Sequence, residues 1–552
     1  MRERLPAISA GLTMFLAAVS GQAATIEVNS TLDAVADDGV CTLREAVIAA
    51  NNDFPSGFSL GECPPGNGAD KILLPIGVYG LTILGAGEDF SATGDLDVLE
   101  SLEIVGAGQA DQTVVDAQSL DRVFFFSALA AEVSLKHLTV RGGYAVGYNV
   151  DGGGIYTDTP SLILQDVIVK GNDADDNGGG IYIDSGTVVL EDVVIEGNYA
   201  GDGGGGINIY NGAIAIRNSE VSSNEASVDG GGVRVGYYAD QFSLDSVIVT
   251  GNLAGDDGGG IYHYRGGACT IIDSTISENW SADQGGGLLM YLGTCTMRSS
   301  IVVGNAADDG GGIYHYLGDL RIESSSFTSN ESISTSDEIY CNDIMTLRNV
   351  TMYDDTPLTG GALYNSGSID ASNTLIFGQC TGLSVGSSGG NMESPGFSCD
   401  LADPTDLGGV LPGALGLLPL ADNGGPTLTH MLDPSSPAVD GGRNLGCAAE
   451  DQRGVIRPQD GDEDETPVCD VGAVELVPCL APETLNLTGG VETGTKTYEA
   501  CGEIVAGTAY TIDAGADITF LAGASIRLQD GFTVAEGGLF HASVERLADW
   551  PL

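Results

Sequence analysis

From about residue 130 onward, apolar residues come in short runs that alternate with polar ones, as in "TVVLEDVVIEGN", "CTIIDSTISEN" and "LRIESSSFTSN". Alternation with period two marks a half-buried strand. The runs are three to five residues long and none carries the i, i+3, i+4 spacing of a helix. Each is followed by a glycine run ending in an aliphatic residue. Those aliphatic anchors are Ile155, Ile181, Ile207, Val233, Ile261, Leu288, Ile313, Ile339 and Leu363, at steps of 26, 26, 26, 28, 27, 25, 26 and 24 residues. Asn172, Asn198, Asn224, Asn252, Asn279, Asn305 and Asn330 keep the same beat.

A period near 26 is too short for a propeller blade and too rich in strands for a helical repeat. It predicts an all-β, right-handed parallel β-helix with three short strands and tight corners per coil. Glycine serves the corner because it alone takes positive φ without steric cost. Stacked asparagines can bond their neighbours above and below, as in other strand ladders. About a dozen coils fit between Ile72 and Cys380, a rod of roughly 50–60 Å at ~4.8 Å per coil. Val189, Ile195 and Leu244 are expected to form inward apolar columns.

Composition narrows the partners. The 552 residues carry 20 Lys+Arg against 77 Asp+Glu, a formal net charge of -57. Phosphate recognition needs clustered cations, so nucleic acid is excluded as a partner, and an anionic membrane surface repels such a chain. Arg2 and Arg4, the apolar stretch from Ala10 to Val19 and the small residues Ala23 and Ala24 resemble a Sec-type signal peptide, residues 1–24, which implies an extracellular or cell-surface destination. No later stretch reaches the ~18 apolar residues of a membrane helix. Eleven cysteines in an exported chain point to disulfides, and near neighbours suggest Cys41–Cys63, Cys380–Cys399, Cys447–Cys469 and Cys479–Cys501. Cys269 and Cys295 fall in equivalent positions one coil apart, within disulfide reach, which leaves Cys341 as the unpaired thiol.

Residues 25–70 contain "CTLREAVIAAN". Thr42 and Glu45 form a capping box, and Leu43, Ala46, Val47 and Ala50 share a helical face, so a short helix is expected to cap the rod. The motif, with its "DDGVCTLREAVIAANND" spacing and the later Cys63, resembles the CSLREA-type N-terminal motif of secreted bacterial β-helix proteins. The coils of residues 71–405 resemble the repeats of polymorphic outer-membrane proteins: "GGALY" and "FTSN" match outright. That likeness implies surface display and adhesion, and it covers the repeats only. Residues 406–476, with "LPGALGLLPLADNGGPTLTHMLDPSSPAVDGG", "DQRGVIRP" and "CDVGAVE", resemble choice-of-anchor Q proteins and are expected to form a second cap. Residues 477–552, with "SIRLQDGFTVAEGGLFHASV", resemble the 3-coathanger stack domain, which implies a small separate β domain. The acidic stretch Asp460 to Glu465 reads as an exposed loop.

The chemistry-bearing candidates lie at the corners. "DDGGG" is first a turn with solvated acids. Like charges ~4.8 Å apart repel unless bridged, so the second reading is calcium held by Asp256, Asp257, Asp283, Asp308 and Asp309. Calcium takes six to eight oxygens. No cofactor is required by this reading. The same acids recur coil after coil, whereas an active site occurs once, so no catalytic residue is assigned. Tyr262, Tyr264, Tyr291, Tyr314 and Tyr316 form an aromatic stripe, with His263 and His315 in one column and Met290 between. Such a stripe is either a packed ladder or a surface on which sugar rings stack. The chain therefore reads as a non-catalytic secreted scaffold or adhesin that contacts carbohydrate or cell-surface components, in an oligomeric state the residues do not define. The alternative is a lyase or hydrolase acting on an acidic polysaccharide, since parallel β-helices host such enzymes too.

Overall fold

The anchors stand in vertical register. In a computed structural model, Ile155 pairs with Ile181, Ile181 with Ile207, Ile207 with Val233, and the ladder continues through Ile261, Leu288, Ile313 and Ile339 to Leu363. The structure describes residues 23–477 except 86, 88, 89, 148, 149 and 355–360, and residues 484–544 except 501, 502, 515, 523, 524, 530, 531 and 536–538. Most of the signal-peptide stretch, Cys479 and Cys501 lie outside the described residues. The architecture is an all-β parallel β-helix of about 16 turns with about 26 residues per turn.

Each central coil is built the same way. A three-residue strand such as Ile181–Ile183 leads to a five-residue strand, Thr187–Glu191, then to a second three-residue strand, Val194–Glu196, and a two-residue strand, Tyr199–Ala200. The two-residue strands make their own eight-stranded parallel sheet. Alternation decides what fills the interior: Val188, Leu190 and Ile195 are buried, and so is Leu244. Val189 points outward and is only half-buried, one residue out of phase with the expected column. The reason is the sharp bend that follows. Asp192 turns the chain with φ +55°, and Asn218, Ser246, Asp273, Ser299, Ser324, Asn349 and Asn373 do the same in later coils. Small polar residues tolerate this left-handed conformation best after glycine.

The two other corners explain the repeat. The first glycine of each triplet has positive φ, for example +66° at Gly178 and +64° at Gly258. At the second, a Cβ on Gly179 would lie 2.1 Å from the carbonyl oxygen of Tyr199 one coil away, so no side chain fits. The asparagine corner is a continuous buried ladder. Asn198 donates Nδ2 to Asn224 Oδ1 at 2.9 Å, Asn224 to Asn252 at 3.0 Å, and Asn252 to Asn279, Asn279 to Asn305 and Asn305 to Asn330 at 2.9 Å each. The ladder ends where Glu338 replaces the glycine and accepts from Asn330 Nδ2.

Helix α1 (Leu43–Asn52) carries the capping box read from the sequence: Glu45 N donates to Thr42 Oγ1 at 3.2 Å, and Thr42 N to Glu45 Oε2 at 3.0 Å. It packs on the strands Asp70–Leu74 and Leu96–Val98. Arg44 is fully buried there, paired with Asp33 at 2.6 Å and donating to the carbonyls of Ser91, Gly94 and Asp95. Disulfides join Cys41–Cys63, Cys269–Cys295, Cys380–Cys399 and Cys447–Cys469, and Cys341 is a buried free thiol.

Residues 406–476 extend the last coil, where Leu407 bridges Met392 in parallel, and then run back along the flank of the rod. The polar bend residues receive them. Asn373 accepts from Arg443 N at 2.8 Å and donates to Arg443 O at 2.9 Å; Asn349 accepts from Ala448 N and donates to Asp470 O; Ser324 donates to Glu450 O. This strap is pinned by a buried ion pair, Arg457 to Glu475 at 2.7 Å. His430 belongs to it, with Nδ1 2.8 Å from Leu418 O and its ring 5.0 Å from Tyr353. The strands from Thr484 to Val544 form two further parallel sheets around Ile504, Ile512, Ile518 and Phe520, a core separate from that of the rod. Among the described residues, no helix is long and apolar enough to cross a membrane.

Candidate functional site

The second residue of each three-residue strand points away from the core. Up the rod this column reads Phe125, Tyr156, Tyr182, Asn208, Arg234, Tyr262, Leu289, Tyr314, Tyr340 and Tyr364. Rings stack wherever aromatics adjoin: Phe125–Tyr156 and Tyr156–Tyr182 at 5.3 Å, Tyr314–Tyr340 at 4.3 Å and Tyr340–Tyr364 at 4.6 Å. Just beyond it along each coil runs a second ladder, Tyr264–Tyr291 at 5.1 Å and Tyr291–Tyr316 at 5.0 Å. Just before it come the acid turns.

The expected stripe is therefore two ladders with different exposure. Tyr291 is 37% exposed, whereas Tyr262 and Tyr314 are only 6% and 7% exposed. The turn preceding each strand folds over these two: the Cβ position of Gly258 lies 2.8 Å from Tyr262 Cβ, and Tyr264 stacks on the Tyr262 ring at 6.0 Å. Tyr262 and Tyr314 thus form the floor with Leu289, and Tyr264, Tyr291 and Tyr316 form the outer rim. His263 and His315 face the other way, into the core, with Met290 between them. Burial pushes both imidazoles down to about 4, so they are neutral core residues.

The acid wall is unevenly charged. Four residues before each anchor the column reads Asp151, Asn177, Gly203, Asp229, Asp257, Gln284 and Asp309. Asp229 and Asp257 alone are neighbours in it, and Arg234 is the one cation of the floor column beside them. One oxygen each of Asp229, Asp256 and Asp257 lies within 4.8 Å of the others. Asp283, Asp308 and Asp309 do not join this group. Gln284 separates Asp257 from Asp309 by two coils, roughly 10 Å, and Asp308 accepts from Ser334 Oγ at 2.7 Å. Of the five aspartates expected as a calcium set, Asp256 and Asp257 belong to this group, and the group has a counter-charge of its own. Arg234 Nε lies 3.9 Å from Asp229 Oδ2, and Nη1 lies 3.2 Å from Asn177 Oδ1. Asp440 makes a second acidic group with Asp460 and Asp462 of the loop read as exposed.

Burial raises the Asp257 carboxyl to about 7, reinforced by Asp229, Asp256 and Asp283. Burial likewise raises Asp229 to about 6, with Arg234 pulling in the opposite direction. The sequence pattern missed this pair because "VDGGGV" and "DDGGGI" look like ordinary repeat corners. The signal available was the floor column, whose aromatic run is broken only by Asn208, Arg234 and Leu289.

Neither a protein-family model nor a curated protein matches the chain. Among solved structures it is similar to the PL6 family alginate lyase AlyGC, with TM-score 0.40 and 12% identity over 87% of this chain and 71% of that one. It is also similar to pectate lyase Pel9A, with TM-score 0.34 and 15% identity over 82% and 96% of the two chains. The likeness extends to the β-helix fold.

Proposed function

We propose that this protein is an extracellular β-helix that holds a linear, uncharged glycan along the outer tyrosine ladder. The observation that carries the reading is the rim ladder Tyr264–Tyr291–Tyr316, three rings stacked at 5.0–5.1 Å beside a floor of buried tyrosines. Stacked on one another, these rings turn their edges and hydroxyls outward, a rigid apolar and polar edge at small entropic cost that suits the hydroxyl edges of sugar rings. The ladder runs from coil to coil, so it favours an extended polymer over a compact ligand. Charge selects the class. A wall of aspartates on a chain of net charge -57 repels a polyuronate and leaves a neutral glycan unopposed. This weighs against the alternative of an enzyme acting on acidic polysaccharide.

Export through the residue 1–24 segment, and attachment through regions resembling choice-of-anchor Q and 3-coathanger modules, complete the picture of a surface adhesin. The four disulfides suit an oxidising compartment. A glycan array probed with the mature protein, with and without calcium, tests the reading. Neutral linear glycans are expected to bind without calcium, and the triple variant Tyr264→Ala, Tyr291→Ala, Tyr316→Ala should lose at least tenfold in affinity. Undiminished binding by the triple variant, or binding only to uronate polymers in calcium, would overturn it.

A further inference from the structure

We propose that the flank groove filled by the strap continues upstream as a docking site for an extended, basic segment of another polypeptide, centred on Asn218. The site lies at a different corner of the coil from the tyrosine ladders and stands independently of the glycan reading.

Two columns define the groove. One is the left-handed bend, running from Asp192 through Asn218 and Ser246 to Asn349 and Asn373. The other is the outward residue two positions later, running in register from Val194 through Glu220 and Ile248 to Thr351 and Leu375. Downstream, the strap lies in this groove. Asn349 and Asn373 are both 0% exposed, and each accepts a backbone N–H of the strap and donates to a strap carbonyl. Beside them Leu375, Thr351, Ser326 and Ile301 are buried. Among the described residues the strap's hydrogen bonds to the bend column stop at Ser299, whose carbonyl accepts from Thr427 Oγ1 at 3.3 Å. Further upstream the same two columns come out into solvent. Ser246 and Asn218 are exposed, and Ile248 is 46% exposed. An open cavity of about 400 Å³ lies there, walled by Val194 and Ile248 and edged by Asp192, Asn218, Glu220 and Ser246.

The occupied stretch shows what the open stretch takes. Asn218 is the third asparagine of the bend column, at φ +47° against +49° for Asn349 and +48° for Asn373. The same side chain on the same backbone conformation presents its Oδ1 and Nδ2 in the same way, and among the described residues this amide has no hydrogen-bonding partner. An amide that accepts from one peptide N–H and donates to one peptide C=O holds an extended backbone, while a pocket beside it selects a side chain. Val194 and Ile248, one coil to either side of Glu220, supply apolar walls for that side chain. Charge sets the flanking residues. The cavity lining carries the carboxylates of Asp192 and Glu220 and no cation. Arg217, just before the bend, stands in its ladder between Glu191 and Asp245. An aliphatic residue with Lys or Arg next to it therefore fits, and an acidic segment is repelled.

The test selects twelve-residue peptides from a displayed random library on the mature full-length protein and measures synthetic copies by fluorescence anisotropy. The selected sequences are expected to carry Lys or Arg next to an aliphatic residue. Their affinity should fall at least threefold from about 50 to about 500 mM NaCl, because the charges are solvent-exposed. Ile248→Arg fills the cavity and reverses its charge. Asn218→Gly removes the amide and keeps the bend, since glycine takes positive φ freely. Each should weaken binding at least tenfold. Both positions face solvent, and Glu220 already places a charged side chain in register with Ile248, so both variants should melt with the parent. Failure to enrich any peptide, enrichment of acidic peptides, or binding that survives in both variants overturns the proposal. Displacement of the peptide by a neutral hexasaccharide would assign the groove to a glycan, and a dimer that Ile248→Arg dissociates would assign it to a second copy of this chain. Either result overturns it as well.

Discussion

Asn252 Nδ2 lies 2.9 Å from Asn279 Oδ1 in the next coil, and both side chains are buried. The same Asn252 Nδ2 also donates to Val221 O at 2.9 Å, and Asn279 Oδ1 also accepts from Asn252 N at 3.0 Å. Each amide therefore ties three coils together. Replacing Asn279 by Leu leaves the Asn252 backbone and side-chain donors without their acceptor. Each orphaned buried donor costs about 1–3 kcal/mol. Because a solenoid is coupled mainly between neighbours, the damage should stay local. Hydrogen exchange is expected to speed up in the coils from Asn224 to Asn305 and to stay unchanged near Ile181. Uniform acceleration along the rod would show that the ladder acts as one cooperative unit instead.

Cys341 is the second case. It is fully buried, its Sγ 3.4 Å from Asp343 O and 3.7 Å from His315 Nδ1, and burial pushes its thiol up to about 12. The neutral His315 cannot assist ionisation. In the native protein at pH 8, peptide mapping after treatment with a maleimide should find Cys341 unmodified, and after denaturation fully modified. Native labelling within minutes would mean that this coil opens far more readily than its packing implies.

The solenoid was legible because repetition averages out local noise. Ile155 to Leu363 fell on a beat, and the register of the strands follows it coil by coil. What the beat hides is difference. Asp229 and Asp257 belong to the same corner motif as Asp151 or Asp309, and only the stacking of coils shows how far they are buried and that Arg234 reaches back across Gly203 to meet Asn177. Burial of Tyr262 was equally invisible, because an outward residue is covered only by the turn of its own coil. The bend column Asp192, Asn218, Ser246 and Asp273 carries a signal, a small polar residue at each strand junction, and the bend it marks resets the alternation so that Val189 faces outward. The strap from Leu411 to Leu476 has no period, so its path along the flank depends on contacts such as Asn373 with Arg443 that no spacing encodes.

The raised carboxyl of Asp257 makes a statement about stability. Its folded value of about 7 stands above the model-compound value of 3.8, so the folded state binds the proton more tightly than the unfolded chain. Between those limits the folded state holds more protons, and stability must fall as pH rises through this window. Below 3.8 both states are protonated and the slope vanishes; above about 7 the full penalty of burying the charge is present. Asp257→Asn removes the penalty. The variant should melt higher than the parent at pH 8 and indistinguishably from it at pH 3.5. Other carboxylates titrate in the same range, so the quantity to measure is the difference in Tm between the two proteins across pH. A difference that does not change with pH would show that Asp257 ionises normally.

The strap offers a last test, because its lock is a buried charge. The side chains of Arg457 and Glu475 are fully buried and 2.7 Å apart, and Arg457 Nη2 also donates to Gly472 O at 2.8 Å. Asp470 lies close by; burial and then the charge of Glu475 push its carboxyl up. Arg457→Met leaves two acids buried around an apolar chain, a loss of about 3–5 kcal/mol by analogy with other broken buried pairs. The double variant Arg457→Met, Glu475→Gln removes the uncompensated charge and should recover part of that loss. The loss should be confined to residues 411–476 and the bend residues they cover, since among the described residues the strap's hydrogen bonds to the coils reach no further upstream than Ser299. Limited proteolysis reads this directly: the single variant should be cut first within the strap, the double variant later, and the parent last. Equal protection of all three would mean that the strap is held by the Asn349 and Asn373 clamps and the Cys447–Cys469 bridge, with the ion pair adding nothing.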